Sequence, residues 1–445
     1  MSIEGLFDER YLAVWQGILA RQNLAAKAAA DTEALEEQLH RPGFAYAYPP
    51  PAMTGAVEAE LKSVGPMLAR LITDLPQRAF GDDLAAWARF LGLSRADREL
   101  MIEAASLPTF RDRALLFMRP DLMVTDGGLR LTELNVSSSI GGMNIHDPYV
   151  QALGGLWLTE ILREHDLRLV APNLASTWLK AFAQAVGELD RPCTVFAATA
   201  DPADKDSGWR FLFSMLEANG YQTCGGLVTD LDVGEEGVRY EGKRIDVVFT
   251  AYLWYESKRY VPAALTRQLM DLDRQNLITF INTPGCALFD SKVNLELAYH
   301  PDYSHLLRED EHRLVRRYLP ETFRLTGETY DRALREQRRL VCKPALAYSG
   351  KGVSYGQAMS AIEWQAMLTE RLADRDQEAY VCQERLPVAA VAVPAMDGEA
   401  RQIALGPLVF GGEYAGTFYR HMPATENSVI NAANGAQVAA MLTCG

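Results

Sequence analysis

Over the first hundred residues the apolar positions recur at helical spacing. Tyr11, Leu12, Trp15, Ile18 and Leu19 fall on one face. A stretch rich in Ala, Glu and Leu carries the pattern to about His40. Pro49, Pro50 and Pro51 interrupt it, and it resumes over 57–75. Ser94 followed by Asp97 reads as a capping box opening another helix. Over 115–136 apolar and polar residues alternate instead, with Asp126-Gly127-Gly128 in the middle, which predicts a β-hairpin. The SSSIGG segment after it, 137–142, suits neither helix nor strand and predicts a loop.

From about 190 to 290, β-rich and helical runs alternate. Residues 193–199 predict a strand and 209–219 a helix closed by Gly220. Residues 246–250 and 277–281 are short apolar runs of the kind that parallel sheets bury on both faces. No GxGxxG follows the first strand, so no dinucleotide site is expected. Beyond about 338, strands are predicted again over 339–343, 379–383, 388–393 and 405–410.

Composition narrows the function. The chain has 445 residues, 48% of them apolar, enough for two or three domains and a large core. With 44 basic against 58 acidic residues the net charge is −14, and no basic run suits nucleic acid or an anionic membrane. An anionic ligand must therefore meet a few positioned cations inside a cleft. The opening MSIEGLFDER predicts no signal peptide. The longest apolar run, 386–396, is broken by Pro387 and Pro394 and is too short to span a bilayer. The six cysteines are too far apart for a zinc knuckle or a CxxC pair, so buried, reduced thiols of a cytoplasmic protein are expected. His300, His305 and His312 lie in a charged segment without metal spacing and read as surface residues.

Three segments carry candidate chemistry. Arg119 and Asp121 share one face of their strand, and Glu133 and Asn135 share one face of the next. A three-residue loop at 126–128 would set Asp121 opposite Glu133 and Arg119 opposite Asn135. Such a face suits Mg²⁺, which takes oxygen ligands and leaves room for phosphate. It equally suits a solvated hairpin with a salt bridge. Next, VCKPALAYSGKGVSYG at 341–356 brings Lys343 to a strand end before a loop tipped by Ser349, Gly350, Lys351 and Gly352. Its glycines allow backbone N–H groups near phosphate, although Ala345 and Gly352 exclude a Walker A loop. Last, AYVCQERLP at 379–387 ends a strand in Gln383 and Glu384, with Leu386 beyond, and can offer an edge to adenine or be a plain edge strand.

In this order the pieces resemble the ATP-grasp superfamily, and more narrowly its circularly permuted branch that includes glutathionylspermidine synthase. The RxD to ExN hairpin resembles that family's metal-binding element. Lys292 in FDSKVNLELAY resembles the lysine of its NKALL-type segment, Lys343-Pro344 its KP, and Gly350-Lys351-Gly352 its phosphate lid. The stretch 405–420 resembles its late strand pair, before an NxxxGA end at Asn431 to Ala436. The resemblance runs from about 110 onward. It does not include an amidase domain, and it carries over neither glutathione nor spermidine as substrate.

The resemblance implies an α/β (α+β) ATP-grasp-like fold in circularly permuted order, with a small parallel α/β module. The expected division is a helical region 1–110, the metal hairpin and part of the core 111–185, the α/β module 186–290, and the nucleotide-binding subdomains 291–445. It implies an ADP-forming carboxylate–amine ligase that works through an acyl phosphate. ATP and Mg²⁺ would be held by Asp121, Glu133, Asn135, Lys292 and Lys343 beneath the 349–352 lid. Arg119 would take the acid and then the oxyanion, and Ser137, Ser138 and Ser139 would donate to the acid. Small acid and amine substrates of amino-acid or short-peptide size are expected, with a homodimer as an open option. The alternatives are a non-catalytic nucleotide binder and a phosphotransferase that makes no amide.

Overall fold

The computed structural model describes residues 5–39, 44–137, 140–189, 191–204, 210–348, 350–373, 379–395, 399–424 and 429–445. His40, Ser138, Ser139 and Ser349, all named above, lie outside them, as does the first residue of the helix expected over 209–219.

A sheet of seven strands forms the centre. Its backbone is the hairpin Phe117–Thr125 and Gly128–Val136, continued by a second long hairpin, Ala400–Phe410 and Glu413–Pro423. All of these pair antiparallel. Leu122, Val124, Ile403, Leu405 and Val409 are buried in the main core. The 26-residue helix Gly55–Phe80, capped by Thr54, packs against three of the four strands.

The N-terminal region holds the helices expected of it: Glu9–Leu19, Gln22–Leu39, Gly55–Phe80 and, capped by Ser94, Arg95–Ala105. It also holds two short strands with no alternating pattern to announce them. Ala45–Tyr46 pairs parallel with Gln437–Ala440 and completes the central sheet. Ala52–Met53 pairs parallel with Leu442–Cys444.

The parallel module follows the expected strands. Thr194–Thr199, buried throughout, pairs parallel with Val247–Thr250, which pairs parallel with Thr279–Ile281. A fourth strand, Gln222–Leu227, was not expected, because Gly225 and Gly226 dilute its β propensity. The helix expected from 209 is Arg210–Glu217 among the described residues.

A second antiparallel sheet runs Thr322–Arg324, Tyr380–Glu384, Leu340–Pro344, Ser354–Tyr355. It has its own small core, with Phe323, Trp364 and Leu368 buried beneath it. The strand expected over 388–393 shrinks to Val391–Ala392. Pro387 and Pro394 bracket the segment, and a proline cannot donate to a ladder.

Candidate functional site

The functional face depends on a register that a simple hairpin would not have. Thr125 pairs with Gly128, so the loop has two residues, Asp126 and Gly127, and the expected three-residue loop is corrected. In that register alone Asp121 would oppose Thr132, and Glu133 would point to the other face. A β-bulge intervenes: Leu122 pairs with Leu131, but Asp121 pairs with Glu133. Thr132 is the extra residue, and its hydroxyl is tied to the Asp121 carbonyl at 3.0 Å. The bulge turns Glu133 onto the side of Asp121 and sets Arg119 opposite Asn135.

On this face two carboxylates are ringed by cations. Asp121 accepts from Arg119 at 2.7 and 3.1 Å and forms an ion pair with Arg420 at 2.9 Å. Burial alone would push its carboxyl up, but the two guanidiniums prevail and hold it below the usual carboxylate range. Glu133 meets Lys292 at 3.0 Å. Burial and Asp121 push Glu133 up, Lys292 and Lys343 pull it down, and it too ends below its usual range. Both acids are therefore ionised at neutral pH. Gly406, across the sheet, leaves the space for this cluster: a Cβ there would lie 2.7 Å from Arg119 Cδ and 3.1 Å from Asp121 Oδ1.

The second sheet closes the cleft from the other side. Val341, Lys343 and Gln383 face it. Lys343 Nζ donates to Gln383 Oε1 at 2.8 Å and, across the cleft, to the Thr132 carbonyl at 3.0 Å. Its ammonium is pushed down to about 8, first by burial and then by Lys292, against the pull of Glu133. Lys292 also donates to the Ala347 carbonyl at 2.8 Å, which ties it to the root of the glycine loop. In that loop Gly350 and Gly352 have φ of 73° and 72°, left-handed conformations that favour glycine. Lys351 reaches back to the Tyr348 hydroxyl at 3.0 Å.

The cleft between the sheets is partly open, with about 960 Å³ of unfilled space when the adjoining solvent is included. Of the residues singled out from sequence it is lined by Asp121, Glu133, Lys292, Lys343, Gly350, Lys351, Gln383, Glu384 and Leu386. Others stand beside it. Arg119 is buried behind Asp121, held by the Gly141 carbonyl at 2.5 Å and stacked over Phe418. Asn135 donates to the Arg119 carbonyl at 3.1 Å, which leaves its Oδ1 toward other donors. Gly352 packs on Pro344, and Ser137 is buried with its N–H on the Phe117 carbonyl. Neither lines the cleft. Gln383, expected to offer an edge to adenine, spends its side chain on Lys343 and on the Thr322 hydroxyl at 2.9 Å.

Arg420, like Arg385, is a charged cleft residue that reading the sequence missed as a site group. It is buried, and its Nε has no hydrogen-bond partner among the described residues. It follows Phe418 by two on an alternating strand, and that spacing was the available signal.

Lys292, Lys343, Lys351, Arg385 and Arg420 line the cleft, five cations against the three carboxylates of Asp121, Glu133 and Glu384. That excess in a partly enclosed cleft, within a chain of net charge −14, suits a polyanion. Among the described residues no three His, Cys, Asp or Glu side chains gather as a metal site, and no helix is long and apolar enough to cross a membrane. Of the three expected metal ligands, Asp121 and Glu133 line the cleft and Asn135 does not.

No protein-family profile and no curated protein sequence matches the chain. Solved structures do. A glutathione synthetase-like effector from Globodera pallida, in its apo form, superposes over 95% of this chain and 97% of its own, with a TM-score of 0.57 at 12% identity. A putative gamma-glutamylcysteine synthetase from Methylobacillus flagellatus KT covers 80% of this chain and 86% of its own, with a TM-score of 0.45 at 12% identity. The chain therefore shares the mixed α/β fold of the glutathione synthetase-like effector over nearly its full length.

Proposed function

We propose that the chain is an ATP-dependent, ADP-forming carboxylate–amine ligase of the circularly permuted ATP-grasp type. The observation that carries this reading is the cation-rich cleft between the central sheet and the small antiparallel sheet, with an ionised carboxylate pair on its floor. The hairpin precedes both lysine-bearing segments in the chain, in the order the family resemblance calls for.

Lys292 and Lys343 would meet phosphate oxygens, and the loop containing Gly350 to Gly352 would cover them and exclude water from a hydrolysable acyl phosphate. Phosphoryl transfer asks mainly for positioning and charge neutralisation, which these groups provide. Glu133, Asn135 and Asp121 would hold Mg²⁺, whose charge would offset that of the phosphates. Arg420 would offer its guanidinium to a substrate carboxylate, and then to the tetrahedral oxyanion when the amine attacks, with Arg119 supporting it from behind Asp121. The acid and the amine are of amino-acid or short-peptide size.

One observation favours a non-catalytic nucleotide binder instead: Asp121 has both oxygens engaged by arginines. An ADP-release screen of acid–amine pairs separates the two readings. The ligase reading expects ADP and amide in equal amounts with at least one pair, and none with Glu133→Gln. ATP binding with no turnover across the screen favours the binder. ADP release without amide indicates a phosphotransferase.

A further inference from the structure

Two thiols face each other across the small sheet. Cys342 on Leu340–Pro344 is the register partner of Cys382 on Tyr380–Glu384. The phase of this ladder can be read at its end. The Ala345 N–H donates to the carbonyl of its partner Ala379 at 2.7 Å, which makes that pair a hydrogen-bonded one. Hydrogen-bonded and non-hydrogen-bonded pairs alternate along an antiparallel ladder. Pro344, with no N–H to give, accordingly takes a non-hydrogen-bonded position opposite Tyr380, and Cys342 with Cys382 takes the next one. At such positions the Cα atoms come within about 4.5 Å and side chains are closest, inside the span that a disulfide bridges.

Both cysteines are free and fully buried. They influence each other: the hydrogen bond from Cys382, with help from Arg371, holds the Cys342 thiol below the usual thiol range, while the same bond and burial push Cys382 up. They belong to the small core with Trp364 and Leu368, apart from the main core, so opening of that unit alone exposes them. The residues that follow them, Lys343 and Gln383, turn to the other face and are joined in the cleft. Arg371 donates to the Gly352 carbonyl at 2.9 Å and connects the same strands to the glycine loop.

We propose that Cys342 and Cys382 form a thiol–disulfide exchange site for a small-molecule disulfide, and that the cross-strand bond so formed weakens nucleotide binding through Lys343 and Gln383. The Cys342 thiolate attacks one sulfur of the small disulfide and releases its other half as a thiolate. The Cys382 thiolate then attacks the Cys342 sulfur of the mixed disulfide and releases the second half. Two electrons pass from the protein to the reagent, and the two thiol protons end on the released thiols. Bridging the strands on the core face changes their local spacing and tilts the side chains on the opposite face, where Lys343 and Gln383 sit. The exchange stands on its own, whereas the consequence for binding rests on the ATP reading above.

The full chain is incubated with hydroxyethyl disulfide, the remaining thiols are alkylated, the peptides are mapped, and ATP is titrated with Mg²⁺ before and after. The expected result is a cross-linked Cys342–Cys382 peptide pair, loss of two of the six thiols, a several-fold loss of ATP affinity, and full reversal by dithiothreitol. Cys342→Ala and Cys382→Ala, made separately, should each abolish both changes. Mixed disulfides that never close, or both cysteines still free after other thiols of the chain have reacted, would overturn the exchange site. A closed bond with unchanged ATP affinity would overturn the coupling. Failure of the reduced protein to bind ATP would overturn the nucleotide reading and leave the exchange site standing.

Discussion

Raising the pH from 7 to 9.5 isolates the contribution of Lys343. With its ammonium pushed down to about 8 by burial, roughly nine-tenths of it is charged at pH 7 and roughly a tenth at pH 9. A triphosphate against Nζ would restore the proton, so binding above pH 8 must take one up. Apparent ATP affinity should then fall about tenfold for each pH unit above 8, or about 1.4 kcal/mol per unit. Titration calorimetry in buffers of different ionisation heat reads both the affinity and the proton. Lys343→Arg, which keeps its charge at every accessible pH, should lose the dependence. A flat affinity to pH 9.5, or the same fall in Lys343→Arg, would refute the reasoning. The sign for stability is the opposite. Because the folded-state pKa is depressed, the unfolded chain binds this proton more tightly between about pH 8 and 10.4. Stability should therefore rise with pH in that window, as a penalty of about 3 kcal/mol present below pH 8 is relieved. Comparison with Lys343→Met isolates this from the buried tyrosines, which titrate higher.

Arg119→Ala should cost amide formation about 2–4 kcal/mol in transition-state stabilisation while ATP affinity changes far less; kinetics and ATP binding measured side by side check it, and an equal loss in both would make Arg119 only the clamp of Asp121. Deleting Thr132 should remove the bulge, turn Glu133 off the cleft face and abolish ADP release while far-ultraviolet dichroism stays native; retained turnover would count against the register argument. Hydrogen exchange over 345–352 should slow several-fold when Mg-ATP is added, and equal protection in both states would rule out a lid.

Much of the cleft was legible because alternation is a local signal. Arg119, Asp121, Glu133 and Asn135 could be assigned to faces from their spacing alone. The expected pairing of Asp121 with Glu133 is present, but for another reason: the two-residue turn leaves the register one short, and the bulge at Thr132 makes up the difference. No residue pattern marks such a bulge, since Thr132 is an ordinary strand residue. Arg420 was missed because its partner, Asp121, lies some 300 positions earlier in the chain (420 minus 121). Only the pairing of Ala400–Phe410 with both neighbouring strands brings them together. The strand expected over 388–393 is cut to Val391–Ala392 because prolines 387 and 394 flank it, and no ladder can use their missing N–H groups. The short N-terminal strands were hidden because two residues are too few to show a period.

Those short strands bear on how the molecule is made. Ala45 pairs with Gln437 and Ala52 with Leu442, so each ladder closes across about 390 positions of chain (437 minus 45, 442 minus 52). During synthesis the early helices must wait, with Tyr46 and Met53 unpaired, until nearly the whole described chain has emerged. Contacts of such long range make closure slow and leave apolar strand edges uncovered in the meantime. Segments cut from either side of this seam should be poor folders, whatever activity the intact chain possesses.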